Sequence, residues 1–201
     1  MAVTKTHPPQ RIREAYAAGL RLFGENRVQE FGGKAAAVAD LGAEWHMIGH
    51  LQTNKAAKAV DLFAAVDSVD SIKLAEKLDA AARKLNRRLP VLLEINIGGE
   101  AAKSGVAPQS PEWEALLLAA PRFEGLEFLG LMAVPPFTDD PEAARPYFRR
   151  LRELRDATAA RKLPAVRMDT LSMGMSHDFE VAIEEGSTIV RVGTAIFGVR
   201  S

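Results

Sequence analysis

The chain has 201 residues, 47% hydrophobic and 26% charged, ordinary proportions for a globular protein able to bury a sizeable core. Its 26 basic and 26 acidic side chains cancel, so no overall field draws it to nucleic acid or to an anionic membrane surface. Cysteine is absent, which excludes disulfides, thiolate nucleophiles and Cys-ligated metal centres and fits a reducing cytoplasm, and no apolar run approaches the roughly 20 residues of a membrane span.

In chain order, β-like runs alternate with helical patterns. The strands read as "MAVTK", "RLFGEN", "EWHMIG", "LFAAVDSV", "PVLLEINI", "LEFLGLMAV", "VRMDTLSMG" and "TIVRVGTAIFG". Between them lie "PQRIREAYAAG", "RVQEFGGKAAAVADL", "QTNKAAKAV", "SIKLAEKLDAAARKLN", "SPEWEALLLAAPRF", "DPEAARPYFRRLRELRDATAAR" and "HDFEVAIEEG". Several carry apolar residues three and four apart, as in Leu74, Leu78 and Ala81 or Phe148, Leu151 and Leu154. Strand–helix alternation implies a parallel sheet with helices outside it. Eight strands separated by seven helices predict a single (β/α)8 barrel domain over residues 1–201, although "AAVDSV" also suits a loop. No Gly-x-Gly-x-x-Gly follows the first strand, which argues against an open dinucleotide-binding sheet.

Barrels of this kind carry their sites at the C-terminal ends of the strands. Lys5 stands there on strand one and Glu25, Asn26 and Arg27 on strand two. His50 and Asn54 follow strand three, Asn96 and Lys103 follow strand five, and Met132 lies on strand six. Ser172 to Ser176 end strand seven, and "RVGTAIFG" forms the eighth. Taken singly, each has an ordinary explanation: a solvated lysine, a tight turn, a packing histidine, two core methionines.

Arg191 does not. On an alternating strand it shares a face with Ile189 and Gly193 and is flanked by valines, so its guanidinium is buried or points into the barrel mouth. A buried cation needs an acceptor. Beside it, Gly193 offers an unhindered N–H, Thr194 a hydroxyl, and "SMGMS" further polar groups, together a nest where such barrels commonly hold phosphate. A ligand with a phosphate at one end and an aldehyde at the other would join this nest to Lys5. Pyridoxal 5′-phosphate has that form, with lysine as its covalent anchor.

The segments "AVTKTHP", "LFGENRVQE", "WHMIGHLQTNK", "INIGGEAAKSG", "LMAV" and "LSMGMSHDFEVAIEEGSTIVRVGTAIFG" resemble, in order and almost end to end, those of the pyridoxal-phosphate homeostasis proteins. These share the fold of the alanine racemase barrel domain. The resemblance implies an internal aldimine on Lys5 and Asn26 near the cofactor ring. It places Ser176, Gly193 and Thr194 on the phosphate and Arg191 against the pyridine nitrogen. His50 is implied only to be nearby, and Met173 is counted with the cofactor-binding segment. Family members usually carry another helix before the lysine strand. Here four residues precede Lys5, so the barrel is expected without it.

An arginine at the ring nitrogen can only donate, so it leaves that nitrogen unprotonated and weakens the ring as an electron sink. Racemases of this fold add a tyrosine from a second domain. Tyr16 and Tyr147 instead fall on helices outside the predicted barrel. The expectation is therefore a cytoplasmic monomer that binds pyridoxal 5′-phosphate without robust catalysis, and the resemblance implies that it buffers the cofactor and delivers it to dependent apoenzymes. The alternative is an amino-acid racemase or lyase completed by a partner. A phosphosugar enzyme with Lys5 as its Schiff-base lysine would need an acid–base pair, for which only Glu25 and Glu94 stand near.

Overall fold

Strand β1 (Ala2–Val3) opens a parallel sheet that runs through β2 (Leu22–Glu25), β3 (Glu44–Met47), β4 (Ala65–Val69), β5 (Leu89–Ile95), β6 (Leu126–Ala133), β7 (Val166–Met175) and β8 (Ile189–Arg191). The eight strands pair in chain order. The sheet then closes on itself: Val3 N donates to Val192 O at 2.9 Å and Val192 N to Met1 O at 3.0 Å. The computed structural model describes residues 1–100 and 102–198 and is a (β/α)8 barrel, as the alternation of patterns implied. The run "AAVDSV" is a strand. Among the described residues no helix is long and apolar enough to cross a membrane.

Helices α1 (Pro9–Ala17), α2 (Val28–Lys34), α3 (Ala56–Leu62), α4 (Ile72–Lys84), α5 (Pro111–Ala119), α6 (Arg145–Ala160) and α7 (Phe179–Glu184) follow strands one to seven. Local chemistry sets their limits. Ser71 caps α4 by accepting Leu74 N, and Ser110 caps α5 by accepting Trp113 N, with Pro111 at the position where its missing N–H costs nothing. The predicted apolar stripes are the buried ones: Leu74, Leu78 and Ala81 on α4, and Phe148, Leu151 and Leu154 on α6. Phe23 and Trp45 stack at 5.0 Å, and Phe31 of α2 meets Trp45 at 4.5 Å, which fastens α2 to the sheet. The 27–41 stretch is not one helix; α2 gives way to a 3-10 turn at Ala35–Val38.

The eighth strand is shorter than its sequence pattern. It stops at Arg191, and residues 194–197 form a one-turn helix, α8 (Thr194–Phe197). Gly193, at φ −115° and ψ −79°, leaves the extended region and turns the chain. That turn brings two consecutive-turn amides, Gly193 N and Ala195 N, to the barrel mouth.

Candidate functional site

A cavity of about 440 Å³ opens at the C-terminal ends of the strands. Its wall takes residues from both ends of the chain: Val3 and Lys5 from β1 and its turn, Asn26 directly after β2, Ser176 directly after β7, Arg191 at the end of β8, and Gly193 and Thr194 from the turn into α8. A volume of this size is typical of a small-molecule site.

One side of the cavity is built to meet an anion. Gly193 N and Ala195 N converge on Ser176 Oγ at 3.0 and 3.3 Å, with the Thr194 hydroxyl exposed alongside. Arg191 lies deeper, 4% exposed. Its Nη1 donates to Ser172 Oγ at 2.7 Å and its Nη2 to Ala133 O at 2.8 Å. Burial pulls this guanidinium's pKa below its ordinary value, while Asp67, Glu94 and Asp178 act in the opposite sense. An arginine still keeps its proton and can only donate. Across the opening, Lys5 is half-buried and reaches the same space.

Two further polar features face the barrel interior. Asn26 Oδ1 is buried and receives no hydrogen bond from the protein. Glu94 is a register partner of Met132, and Met132 of Ser172, so the three share the face that Arg191 occupies. Burial raises the Glu94 pKa to about 7, with Asp70 adding to the rise and Arg191 and His50 opposing it; Glu94 Oε2 has no partner. On β3, His46 bonds Asp67 and Glu44 at 3.0 Å each. Burial works against the charged ring, but the two carboxylates outweigh it and raise the pKa.

Of the residues the sequence pointed to, Lys5, Asn26, Ser176, Arg191, Gly193 and Thr194 share the cavity wall; His50 and Met173 do not. His50 lies beyond the end of β3, where Ser68 Oγ holds Gly49 O at 2.7 Å and turns the chain outward. Its side chain is 58% exposed and pairs with Asp70 at 3.3 Å, and Ile48 is the residue that lines the cavity. Met173 is wholly buried in the core because Ser172, next to it, faces Arg191. At Gly174 the phase changes. Its φ of +92° and the register shift between Ser172 and Met175 bring Met175, not Met173, to the cavity.

Other candidates have structural duties. Asn96 knots its own loop through Glu100 N, Glu100 O and Lys103 O, and Lys103 pairs with Glu100 at 2.7 Å. Glu25 points away from the cavity to Lys34, so it cannot act as an acid–base partner of Lys5. Sequence reading missed the apolar rim of Val134, Pro136 and Phe137. Phe137 is 76% exposed and lies 5.8 Å from the His177 ring. Only "VPPF" directly after an apolar strand could have signalled it.

The sequence model of the alanine racemase N-terminal domain family matches residues 1–201. The pyridoxal phosphate homeostasis protein of Aquifex aeolicus is 48% identical over the whole chain, which covers 86% of that protein. Its counterpart in Pseudomonas aeruginosa is 46% identical, with 84% covered. The chain belongs to the pyridoxal phosphate homeostasis protein family. Among solved structures, PipY of Synechococcus elongatus, determined with PLP bound, superposes with a TM-score of 0.89 at 40% identity, covering 98% of this chain and 91% of that one. Family membership thus rests on sequence and fold together. The site described above draws on the ends of β1, β2, β7 and β8, all within the matched span.

Proposed function

We propose that the chain binds pyridoxal 5′-phosphate, with Lys5 as covalent anchor, and serves to hold and release the cofactor. The observation that carries this reading is the single cavity shared by the Lys5 amine, the Ser176–Gly193–Thr194 nest and Arg191. The donor set fits such a ligand. Two amides and two hydroxyls suit a phosphate, the unpartnered amide of Asn26 suits a polar ring substituent, and Val3, Ile48 and Met175 offer apolar walls to a flat ring.

When bound, the cofactor supplies an aldehyde and a heteroaromatic ring able to delocalise charge. Lys5 would hold the cofactor through its amine, the nucleophile facing the aldehyde across the cavity. Ser176 and Thr194 orient the phosphate with the amides of Gly193 and Ala195. Arg191, fixed by Ser172 and Ala133 O, would hold the ring end and could offer it only N–H donors, which would leave a ring nitrogen there an acceptor.

This electronic setting favours storage over turnover. Among the described residues no tyrosine joins the wall: Tyr16 lies on α1 and Tyr147 on α6, both packed against the core. We read the protein as a monomer that supplies the cofactor to dependent apoenzymes. The relatives' shared name, pyridoxal phosphate homeostasis protein, supports the cofactor-holding part of that reading.

The test is a visible spectrum with added pyridoxal 5′-phosphate, followed by borohydride reduction and peptide mapping. A yellow band with the label on Lys5 is the expected result. Lys5→Ala should abolish the label and keep a phosphate-dependent affinity; Arg191→Ala should weaken binding and shift the band. A label that persists in Lys5→Ala, for instance on Lys103, overturns the anchor assignment. Exchange of an amino-acid α-proton at enzyme-like rates overturns the storage role.

A further inference from the structure

The turn that carries Lys5 is held from behind by a buried ammonium. Residues 4–7 form a four-residue turn, His7 N donating to Thr4 O at 3.1 Å, with Lys5 and Thr6 in the two central places. Thr6 has φ +66°. A type II turn demands that left-handed setting of its third residue, and glycine or asparagine ordinarily supplies it. A β-branched residue is strained there, and such a conformation persists only where the surroundings fix it.

Those surroundings come from α2. Lys34 is 7% exposed, and its Nζ donates to Thr4 O at 2.9 Å and His7 O at 3.2 Å, the first and last residues of the turn. The same ammonium meets Glu25 at 2.7 Å and Glu30 at 3.3 Å. Glu30 accepts the Thr6 N–H, and Glu25 accepts the Thr4 hydroxyl. The sheet's last hold is Thr4 N donating to Gly24 O at 3.0 Å; it does not reach Lys5 or Thr6.

We propose that Lys34 and Glu30 are positioning residues for Lys5. They clamp the strained turn so that the Lys5 amine is presented to the cavity before any ligand arrives. The proposal rests on the reading of Lys5 as the covalent anchor. Neither residue lines the cavity, and neither touches the phosphate nest. Their removal should therefore weaken only the part of binding that passes through Lys5.

The experiment compares pyridoxal 5′-phosphate with the corresponding alcohol, pyridoxine 5′-phosphate, which has the phosphate and ring but no aldehyde. Glu30→Ala is the primary variant, because Glu30 lies at a partly exposed margin while Lys34→Met would strand Glu25 in the core. Preorganisation of the reacting group predicts about a tenfold loss of aldehyde binding, with the alcohol's affinity unchanged within about twofold. Thr6→Gly, added to Glu30→Ala, should restore the aldehyde's affinity, since glycine takes the positive φ without strain. Equal loss for both ligands, no loss for either, or failure of Thr6→Gly to rescue overturns the proposal while the anchor reading stands. Absence of a label on Lys5 in the parent protein removes the anchor reading, and the proposal with it.

Discussion

Glu94 presents an electrostatic conflict in the barrel interior. A carboxyl in the barrel interior, with one oxygen unpartnered and Asp70 nearby, holds its proton up to about pH 7 in spite of Arg191. Below the ordinary carboxylate range both the folded and unfolded chains carry that proton, and the displaced pKa has no effect on stability. As the pH rises, the unfolded chain ionises first. Stability therefore falls between about pH 4.5 and pH 7, by up to ~3 kcal/mol, and is then flat with respect to this group. Glu94→Gln should remove the effect. We expect its unfolding free energy, measured by urea titration, to gain on the parent's between pH 5 and pH 8. A difference independent of pH would mean that Glu94 is ionised throughout. The residues legible in the sequence were those whose charge had no ordinary place: Arg191 between valines, and Lys5 once a phosphate nest stood opposite. Glu94 was visible only as an acid near Lys5. Its isolation depends on what β4 and β8 turn toward it, which no local pattern records.

At the scale of elements, glycine placement decides which side chains reach the site. On strand β7 strict alternation sets Met173 and Met175 on one face, opposite Ser172, and only the turn at Gly174 brings Met175 round to the cavity. The φ of +92° at Gly174 is a backbone fact that a single sequence does not disclose. The same limit hid the end of β8, whose apolar continuation through Phe197 reads as strand but coils into α8. By contrast, the helix stripes were legible because their spacing is local. Gly130 illustrates how tightly the sheet is fitted. It pairs with Thr170 across β6 and β7, and an added Cβ would lie 1.9 Å from Thr170 O. Backbone cannot yield there as a side chain could, so Gly130→Ala should cost roughly 3 kcal/mol or more in a denaturant titration. Gly33→Ala on α2 is the matched control: its added methyl meets nothing within 4 Å, and a gain of about 0.5–1 kcal/mol is expected from helix propensity. Similar effects at the two positions would mean that β6 and β7 do not approach this closely.

At the scale of the whole molecule, the cavity is a seam between the two ends of the described chain. Lys5 follows the first strand and the phosphate nest follows the last two, while β1 pairs with β2 over only two residues. Across the seam, Val3 N and Val192 N supply closing bonds and the Met1 amino group adds a third to Val190 O at 3.0 Å, around a single bridge between Ala2 and Val192. On the opposite side of the barrel, β5 runs beside β6 from Leu89 to Ile95. Local opening should therefore begin at the β8–β1 seam, where the hydrogen-bonded ladder is shortest. A ligand gripped by both Lys5 and the Ser176 nest spans that seam and opposes its opening. At a free concentration a hundredfold above Kd, pyridoxal 5′-phosphate should stabilise the fold by about 2.7 kcal/mol. For a chain of this size that corresponds to a rise in Tm of roughly 5–10 °C. Hydrogen exchange then locates the effect. The Val3 and Val192 amides should slow on ligand addition under conditions where exchange proceeds by local opening, and those of β5 and β6 should change little. In Lys5→Ala the ligand still holds β7 and β8 but no longer ties them covalently to the turn after β1, so seam protection should drop out before all of the thermal shift does. Uniform slowing over the barrel would place the ligand's effect on global unfolding alone, and the seam would not be the weak point of the closed sheet.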